Sequence, residues 1–410
     1  MISNLRLTYL LSFLLLFQAG VSTLNAQRSV MDLNGTWEFD RTEKAFPPKK
    51  FTRNIPVPGL IHLAEPRIDD YDTWFKKPLE VEAKETHSVY DIDYTPMYSW
   101  YRKEVSIPAD WDGKDCLIRI KKSQYLTQVY VNGIDMGTSM ECYTPVEFPV
   151  SHALKPGEKN EILIKVGDRF WLPPQAAGST DKEKEHYLPG IWDDVELIAS
   201  VKVQVNNALL LPDLEGSSVL TKVRLRSYFP QQLGYGDPKI DSVVVKVLIR
   251  ERLSGKTAGK NSIRVAARRE HFTIAEVRIP LEDPHPWSPE DPFLYQAEIS
   301  VELDGQAVDG YEDLFGMRDF QRRGKYFYLN GGKVLLHGTN ITLQRFFEDP
   351  DCGALAWDRD WVKKLIIDDP KKVNWNAMRI CVGMTHFVRW SWGLRKSLLK
   401  KKQKRNRISV

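Results

Sequence analysis

The stretch Gln128-Val129-Tyr130-Val131-Asn132-Gly133 decides the fold. Polar and apolar side chains alternate through it with the period of a half-buried strand, and the Asn-Gly pair suits a type I′ hairpin, whose two central residues must take positive φ. The same texture recurs on either side, in Cys116-Leu117-Ile118-Arg119-Ile120 and in Glu161-Ile162-Leu163-Ile164-Lys165-Val166. From Asn34 to about residue 315 no sustained helical period interrupts it, so the reading is of many short strands and turns, the pattern of β-sandwiches. So long a run exceeds one sandwich. Val195-Glu196-Leu197-Ile198 closes one strand set and Val201-Lys202-Val203-Gln204-Val205 opens another, which puts a boundary near Ala199. The second set continues through 221–228, 242–250, 272–279 and 294–303.

Around residue 317 the texture changes. Tyr326-Phe327-Tyr328-Leu329 leads through Asn330-Gly331 into Val334-Leu335-Leu336, read as a strand. Trp357, Trp361, Leu365 and Ile366 fall on one stripe of a helix, with Asp358, Arg359, Asp360, Lys363 and Lys364 between them. Asn376-Ala377-Met378-Arg379-Ile380-Cys381-Val382 reads as a second buried strand. Strand, helix and strand of this length form a βαβ unit, the crossover that parallel strands require, and point to the start of an α/β domain. The last 27 residues, 384–410, carry nine cations and no Asp or Glu. Three readings stand for them: a binding arm for nucleic acid or anionic membrane, a solvated tail, or residues that follow a change of reading frame.

At 410 residues, 42% apolar and 27% charged, the chain is long enough for at least two sizeable cores and too ordinary in composition for wholesale disorder. The formal charge of +4 singles out no nucleic-acid or membrane partner, and without Arg6 and the nine tail cations it becomes −6. Arg6 precedes an apolar run from Leu7 to Phe17 that is too short to span a bilayer, and Leu24-Asn25-Ala26 offers a small residue for cleavage. Residues 1–26 therefore read as a signal peptide, with mature chain from about Gln27 that is exported to the periplasm or secreted. No later stretch approaches the ~18–20 apolar residues of a transmembrane helix. Cys116, Cys142, Cys352 and Cys381 lie far apart without a Cys-x-x-Cys pair, so free buried thiols are expected rather than a zinc site, with disulfide pairing as the alternative.

Common catalytic signatures are missing: no Gly-x-Ser-x-Gly, no His-Glu-x-x-His, no phosphate-binding Gly-x-x-x-x-Gly-Lys, and the eight histidines lack ligand spacing. Neither a metal nor a cofactor is expected. Glu348-Asp349-Pro350-Asp351 gathers carboxylates just past the first α/β strand, where barrel enzymes place functional loops, but acidic clusters beside proline are more often loop surface. Asp368-Asp369-Pro370 reads as the turn that ends a helix. Tryptophan is plentiful and sugars stack on aromatic rings, yet Trp37, Trp100 and Trp192 sit in strand-like patterns and are assigned to the core.

The order of these segments resembles glycoside hydrolase family 2, the β-galactosidase, β-glucuronidase and β-mannosidase group. The resemblance runs over residues 34–383. In the first domain it rests on Leu33-Asn34-Gly35-Thr36-Trp37, Val57-Pro58-Gly59, Trp100-Tyr101-Arg102-Lys103, Val131-Asn132-Gly133, Leu154-Lys155-Pro156-Gly157 with Asn160, and Gly190-Ile191-Trp192. Trp287-Ser288-Pro289, Pro292-Phe293-Leu294-Tyr295 and Phe315-Gly316-Met317-Arg318 carry it through the second. Leu329-Asn330-Gly331, His337-Gly338-Thr339-Asn340 and Asn376-Ala377-Met378-Arg379 carry it into the third. The resemblance implies a mainly β chain: a jelly-roll sugar-binding domain over 27–200, an immunoglobulin-like sandwich over 201–317, and the first βαβ part of a (β/α)8 barrel over 318–383, followed by the basic tail over 384–410. The stretch Arg345-Phe346-Phe347-Glu348-Asp349-Pro350 is less typical and suggests a divergent branch.

For function the resemblance implies a retaining exo-β-glycosidase acting on a β-glycoside or oligosaccharide, with no nucleic-acid partner. Asn340 matches a family asparagine just after the first barrel strand, and Arg379 a family arginine near the sugar subsite; these two are the expected substrate-binding residues. The histidine that follows that asparagine in many β-galactosidases is replaced here by Ile341-Thr342-Leu343, which weakens the case for a galactoside. A complete barrel needs roughly 250 residues, whereas 318–410 is 93, of which 66, to Gly383, follow the family. Both catalytic glutamates of the family belong to later strands, and Asn160-Glu161 is a false match within a sandwich strand. The expectation is therefore a truncated, catalytically silent form of a glycosidase, with a non-catalytic carbohydrate-binding protein as the alternative.

Overall fold

The computed structural model describes residues 28–68, 97–168, 171–172, 188–200, 203–227, 242–266, 272–341, 343–349 and 351–380. The segment read as a signal peptide (1–26), Cys381 and the basic tail over 384–410 lie outside the described residues.

The first sandwich is antiparallel throughout. One sheet runs in the order Ser29–Asp32, Val195–Ser200, Asp115–Ile120, Val146–Pro149; the other runs Arg53–Val57, Gly35–Thr42, Tyr98–Ser106, Lys159–Gly167, Thr127–Val131, Ile134–Ser139. Their facing sides bury Trp37, Phe39, Tyr101, Ile118, Ile120, Val129, Ile162, Ile164 and Leu197, which is what alternation along each strand predicts. A small third sheet orders Gly59–Leu60, Gly190–Ile191 and Ser123–Gln124. The Asn132-Gly133 turn is as read, with φ of 49° and 79°. Asn132 Nδ2 donates to Asn160 Oδ1 (2.7 Å), and Asn160 Nδ2 donates to the Lys155 carbonyl (2.9 Å). Asn160 is thus a buried clamp between turns, and Asn160-Glu161 is no catalytic pair.

The second sandwich packs a three-stranded sheet, Val203–Asp213, Ser218–Ser227 and Phe272–Pro280, on a four-stranded one ordered Thr257–Val265, Val243–Glu251, Tyr295–Leu303, Gln306–Phe315. Three strands against four in this order is the immunoglobulin-like arrangement. Val243, Val245, Val247 and Ile249 meet Ala297, Ile299 and Val301 in its core.

The third part departs from the reading in detail. Asn330 and Gly331, with φ of 48° and 82°, close a tight turn that folds Gly332–Val334 back onto Tyr326–Leu329. Val334 therefore ends an antiparallel meander, Leu335 is 62% exposed, and the first parallel strand is Gly338–Ile341 rather than 334–336. Its partner is Ala377–Ile380. The crossover is helical but not one helix: Leu343–Glu348, a 3-10 turn Leu355–Trp357, Arg359–Lys363, a π-wound turn Lys364–Asp368, and Asp369–Lys372. Trp357 falls off the expected stripe because Asp358 caps the next helix, its Oδ1 accepting from Asp360 N (2.8 Å) and Trp361 N (3.1 Å). The winding also continues through Asp368-Asp369-Pro370, with Asp368 itself helical at φ −71° and ψ −46°.

Candidate functional site

The site begins with how closely two backbones approach. A Cβ on Gly338 would lie 1.6 Å from the Ala377 carbonyl oxygen, so only glycine lets the two parallel strands pair here. Asn376 fastens their near ends: its Oδ1 accepts from His337 N (2.9 Å) and its Nδ2 donates to the Leu335 carbonyl (2.8 Å). Two residues further on, register places Asn340 directly opposite Arg379. Arg379 Nη1 donates to Asn340 Oδ1 at 3.5 Å, with both side chains exposed.

The two residues expected from the sequence are therefore brought together, next to the C-terminal ends of adjacent parallel strands. A guanidinium fork and a carboxamide side by side offer several donors and one acceptor to hydroxyls or to a carboxylate. Neither strand carries an Asp or Glu, so this arrangement has the chemistry to bind and orient a polar ligand but supplies no acid or nucleophile. Among the described residues no group of three or more His, Cys, Asp or Glu is placed to hold a metal ion, and no helix is long and apolar enough to cross a membrane.

The segment after Asn340 is anchored on the first sandwich. Phe347 is buried between Trp192 (centroids 5.7 Å apart) and Trp357 (4.8 Å), and Trp357 Nε1 donates to the Trp192 carbonyl at 3.1 Å. Glu348, expected on a loop surface, is only 3% exposed, and its Oε1 accepts from Gln124 Nε2 at 2.8 Å. His62 Nε2 lies 3.4 Å from the Gly353 carbonyl, and burial pushes its pKa down to about 4. The sequence held a signal for this contact: Phe346-Phe347 immediately before Glu348 marks a helix with an apolar face, which needs a partner.

Comparison with known proteins decides the family. The model "Glycosyl hydrolases family 2, sugar binding domain" matches residues 30–200, and "Glycosyl hydrolases family 2" matches residues 232–318. The chain belongs to glycoside hydrolase family 2. A β-glucuronidase of Bacteroides fragilis is 25% identical over 343 residues, covering 80% of this chain and 43% of the relative. A β-glucuronidase of Formosa agariphila is 22% identical over 290 residues, covering 65% and 28%. Among solved structures, Bacteroides uniformis β-glucuronidase 2, covalently bound to cyclophellitol-6-carboxylate aziridine, superposes with a TM-score of 0.63 at 19% identity, covering 86% of this chain and 39% of its own. The chain thus spans less than half the length of these family 2 relatives.

Most family 2 motifs in the chain are structural. Lys103 Nζ donates to the carbonyls of Leu33 and Asn34 (both 2.9 Å) and lies 5.4 Å from the Trp37 ring centroid. At the exit of the second sandwich, Trp287 N donates to the Met317 carbonyl (2.7 Å), Asn330 Nδ2 donates to the Trp287 carbonyl (2.9 Å), and the Arg318 guanidinium sits 4.9 Å from the Trp287 ring centroid. These three motifs form one knot that ties the sandwich to the meander before the parallel strands.

Proposed function

We propose that these residues are the jelly-roll sugar-binding domain, the immunoglobulin-like sandwich and the first two barrel strands of a retaining exo-β-glycosidase, in which Asn340 and Arg379 hold the sugar at the reacting end. The observation that carries the reading is their register: two donor-rich side chains meet where barrel enzymes build their sites, beside the C-terminal ends of neighbouring parallel strands. In the retaining mechanism one carboxyl protonates the glycosidic oxygen and a second, about 5–5.5 Å away, forms a covalent glycosyl-enzyme. The covalent adduct of the Bacteroides uniformis relative supports that chemistry and a uronic-acid glycone, whose carboxylate Arg379 would pair. Both carboxyls belong to later barrel strands than those described. Export by the N-terminal segment suits an enzyme that meets glycans outside the cytoplasm.

The test is turnover of p-nitrophenyl β-glucuronide, β-galactoside and β-mannoside, with calorimetric binding of the matching methyl glycosides. The 410-residue chain should release no p-nitrophenol, yet bind one methyl glycoside weakly through Arg379. Turnover by these residues alone, or binding that survives Arg379→Ala, would overturn the assignment.

A further inference from the structure

The second sandwich carries a cleft of about 310 Å³ that none of the residues at the Asn340 and Arg379 site lines. Its size is at the lower end for a small-molecule site. It lies between the hairpin turn that joins Val243–Glu251 to Thr257–Val265 and the loop that leads from Phe272–Pro280 into Tyr295–Leu303. The backbone fixes both sides: Glu251 N donates to the Lys256 carbonyl (2.9 Å) to close the turn, and Arg252 N donates to the Leu294 carbonyl (3.0 Å) to seat it on the loop.

One wall is aromatic. The His285 ring stacks on Phe293 with centroids 4.4 Å apart, and Phe293 meets Tyr295 edge-on at 5.1 Å. His285 Nε2 lies 2.6 Å from Asp291 Oδ2, which orients the ring. The rim is acidic, with Glu251, Glu282 and Asp283 set against one cation, Lys256. Glu251 is partly committed, its Oε2 accepting from Ser254 Oγ (2.6 Å) and its Oε1 lying 3.8 Å from Lys256 Nζ. The carboxylates of Glu282 and Asp283 make no hydrogen bond or ion pair with any described residue.

Tyr295 is the most buried side chain of the cleft, at 2% exposure. Its hydroxyl accepts from His285 N at 2.8 Å, and no described residue accepts its hydrogen. Burial raises its pKa, the His285 N–H opposes the rise, and the charges of Glu251 and Asp283 add to it. The hydroxyl therefore keeps its hydrogen at neutral pH, and a buried donor without an acceptor is costly unless something in the cleft supplies one.

Ring faces and carboxylates together attract an organic cation. Among the described residues no group of three or more His, Cys, Asp or Glu is placed to hold a metal ion, and the Tyr295 hydroxyl asks for an oxygen on the ligand. We propose that the cleft binds a small amino alcohol, whose ammonium sits against Phe293 and the Glu282 and Asp283 carboxylates and whose oxygen accepts from Tyr295. The site stands or falls independently of the glycosidase reading.

Calorimetry on the 410-residue chain at physiological salt tests it with choline, ethanolamine and neohexyl alcohol, the uncharged carbon isostere of choline. At least one ammonium probe binds and neohexyl alcohol does not. Asn tolerates the φ of 44° that Asp283 adopts, so Glu282→Gln with Asp283→Asn removes charge without new backbone strain, and this double variant weakens binding by about fivefold or more. Tyr295→Phe also weakens it, whereas Arg379→Ala leaves it unchanged. Silence of both ammonium probes, equal binding of neohexyl alcohol, or full affinity in the Glu282→Gln, Asp283→Asn chain overturns the site. Loss of methyl-glycoside binding through Arg379 touches the glycosidase reading alone.

Discussion

Gln124 donates from its side-chain amide to the buried carboxyl of Glu348 at 2.8 Å, joining the small sheet of the first sandwich to the helix that follows the Asn340 strand. Removing a donor from a buried carboxyl costs about 1–3 kcal/mol. Gln124→Ala should therefore loosen the docked segment 343–372. Hydrogen exchange is the check: amides of 343–372 should lose protection while those of Ile162 and Ile164 keep theirs, and uniform loss would contradict a local coupling.

His62 lies under the same segment and gives it a pH dependence. Its imidazole, which titrates at 6.5 when free, is held neutral to about pH 4 by burial and by the nearby Arg67 charge, with the Gly353 carbonyl and Asp349 opposing. Between those two values the unfolded chain binds more protons than the folded one, so stability falls as pH drops through that window and is level above it. The full loss is about 3 kcal/mol. Urea titrations of the parent and of His62→Gln at pH 7 and 4.5 measure it, and the variant should show the smaller drop.

Gly338→Ala probes the strand pair itself. The added methyl would collide with the Ala377 carbonyl, and relieving the clash means parting the backbones, at about 1–3 kcal/mol. Asn340 and Arg379 would then separate. Methyl-glycoside binding through Arg379 should vanish while the two sandwiches melt at unchanged temperature.

Arg28 reaches from the first strand region to the second sandwich, where its Nη2 donates to Asp309 at 2.7 Å and to the Val205 carbonyl at 2.9 Å. Asp309 is fully buried, and burial raises its pKa against the pull of Arg28. Arg28→Ala leaves that carboxyl without its cation and should cost about 3 kcal/mol in urea unfolding. Adding Asp309→Ala should restore part of the loss, because an uncompensated buried charge is worse than none; a double variant no more stable than Arg28→Ala would refute this.

The strands were legible because their residues repeat a simple period, as Ile162, Ile164 and Val166 do, and because Asn132-Gly133 and Asn330-Gly331 fix turns by backbone chemistry alone. Asn340 and Arg379 were legible through family resemblance, and their contact follows from register. The start of the first parallel strand was not, since Val334, Leu335 and Leu336 are as apolar as any strand, and the constraint that moves it lies in the Ala377 backbone. Glu348 was misplaced for a similar reason: its partner, Gln124, is distant in sequence.

The π-wound turn Lys364–Asp368 is a place where the crossover stores one residue more than an α-helix of equal span would need. Deleting a single residue there can be absorbed by relaxing to ordinary winding, whereas an insertion has nowhere to go. Length variation among relatives should accordingly run one way through this helix, and an alignment that forbids a one-residue gap at 364–368 would put the Arg379 strand out of phase.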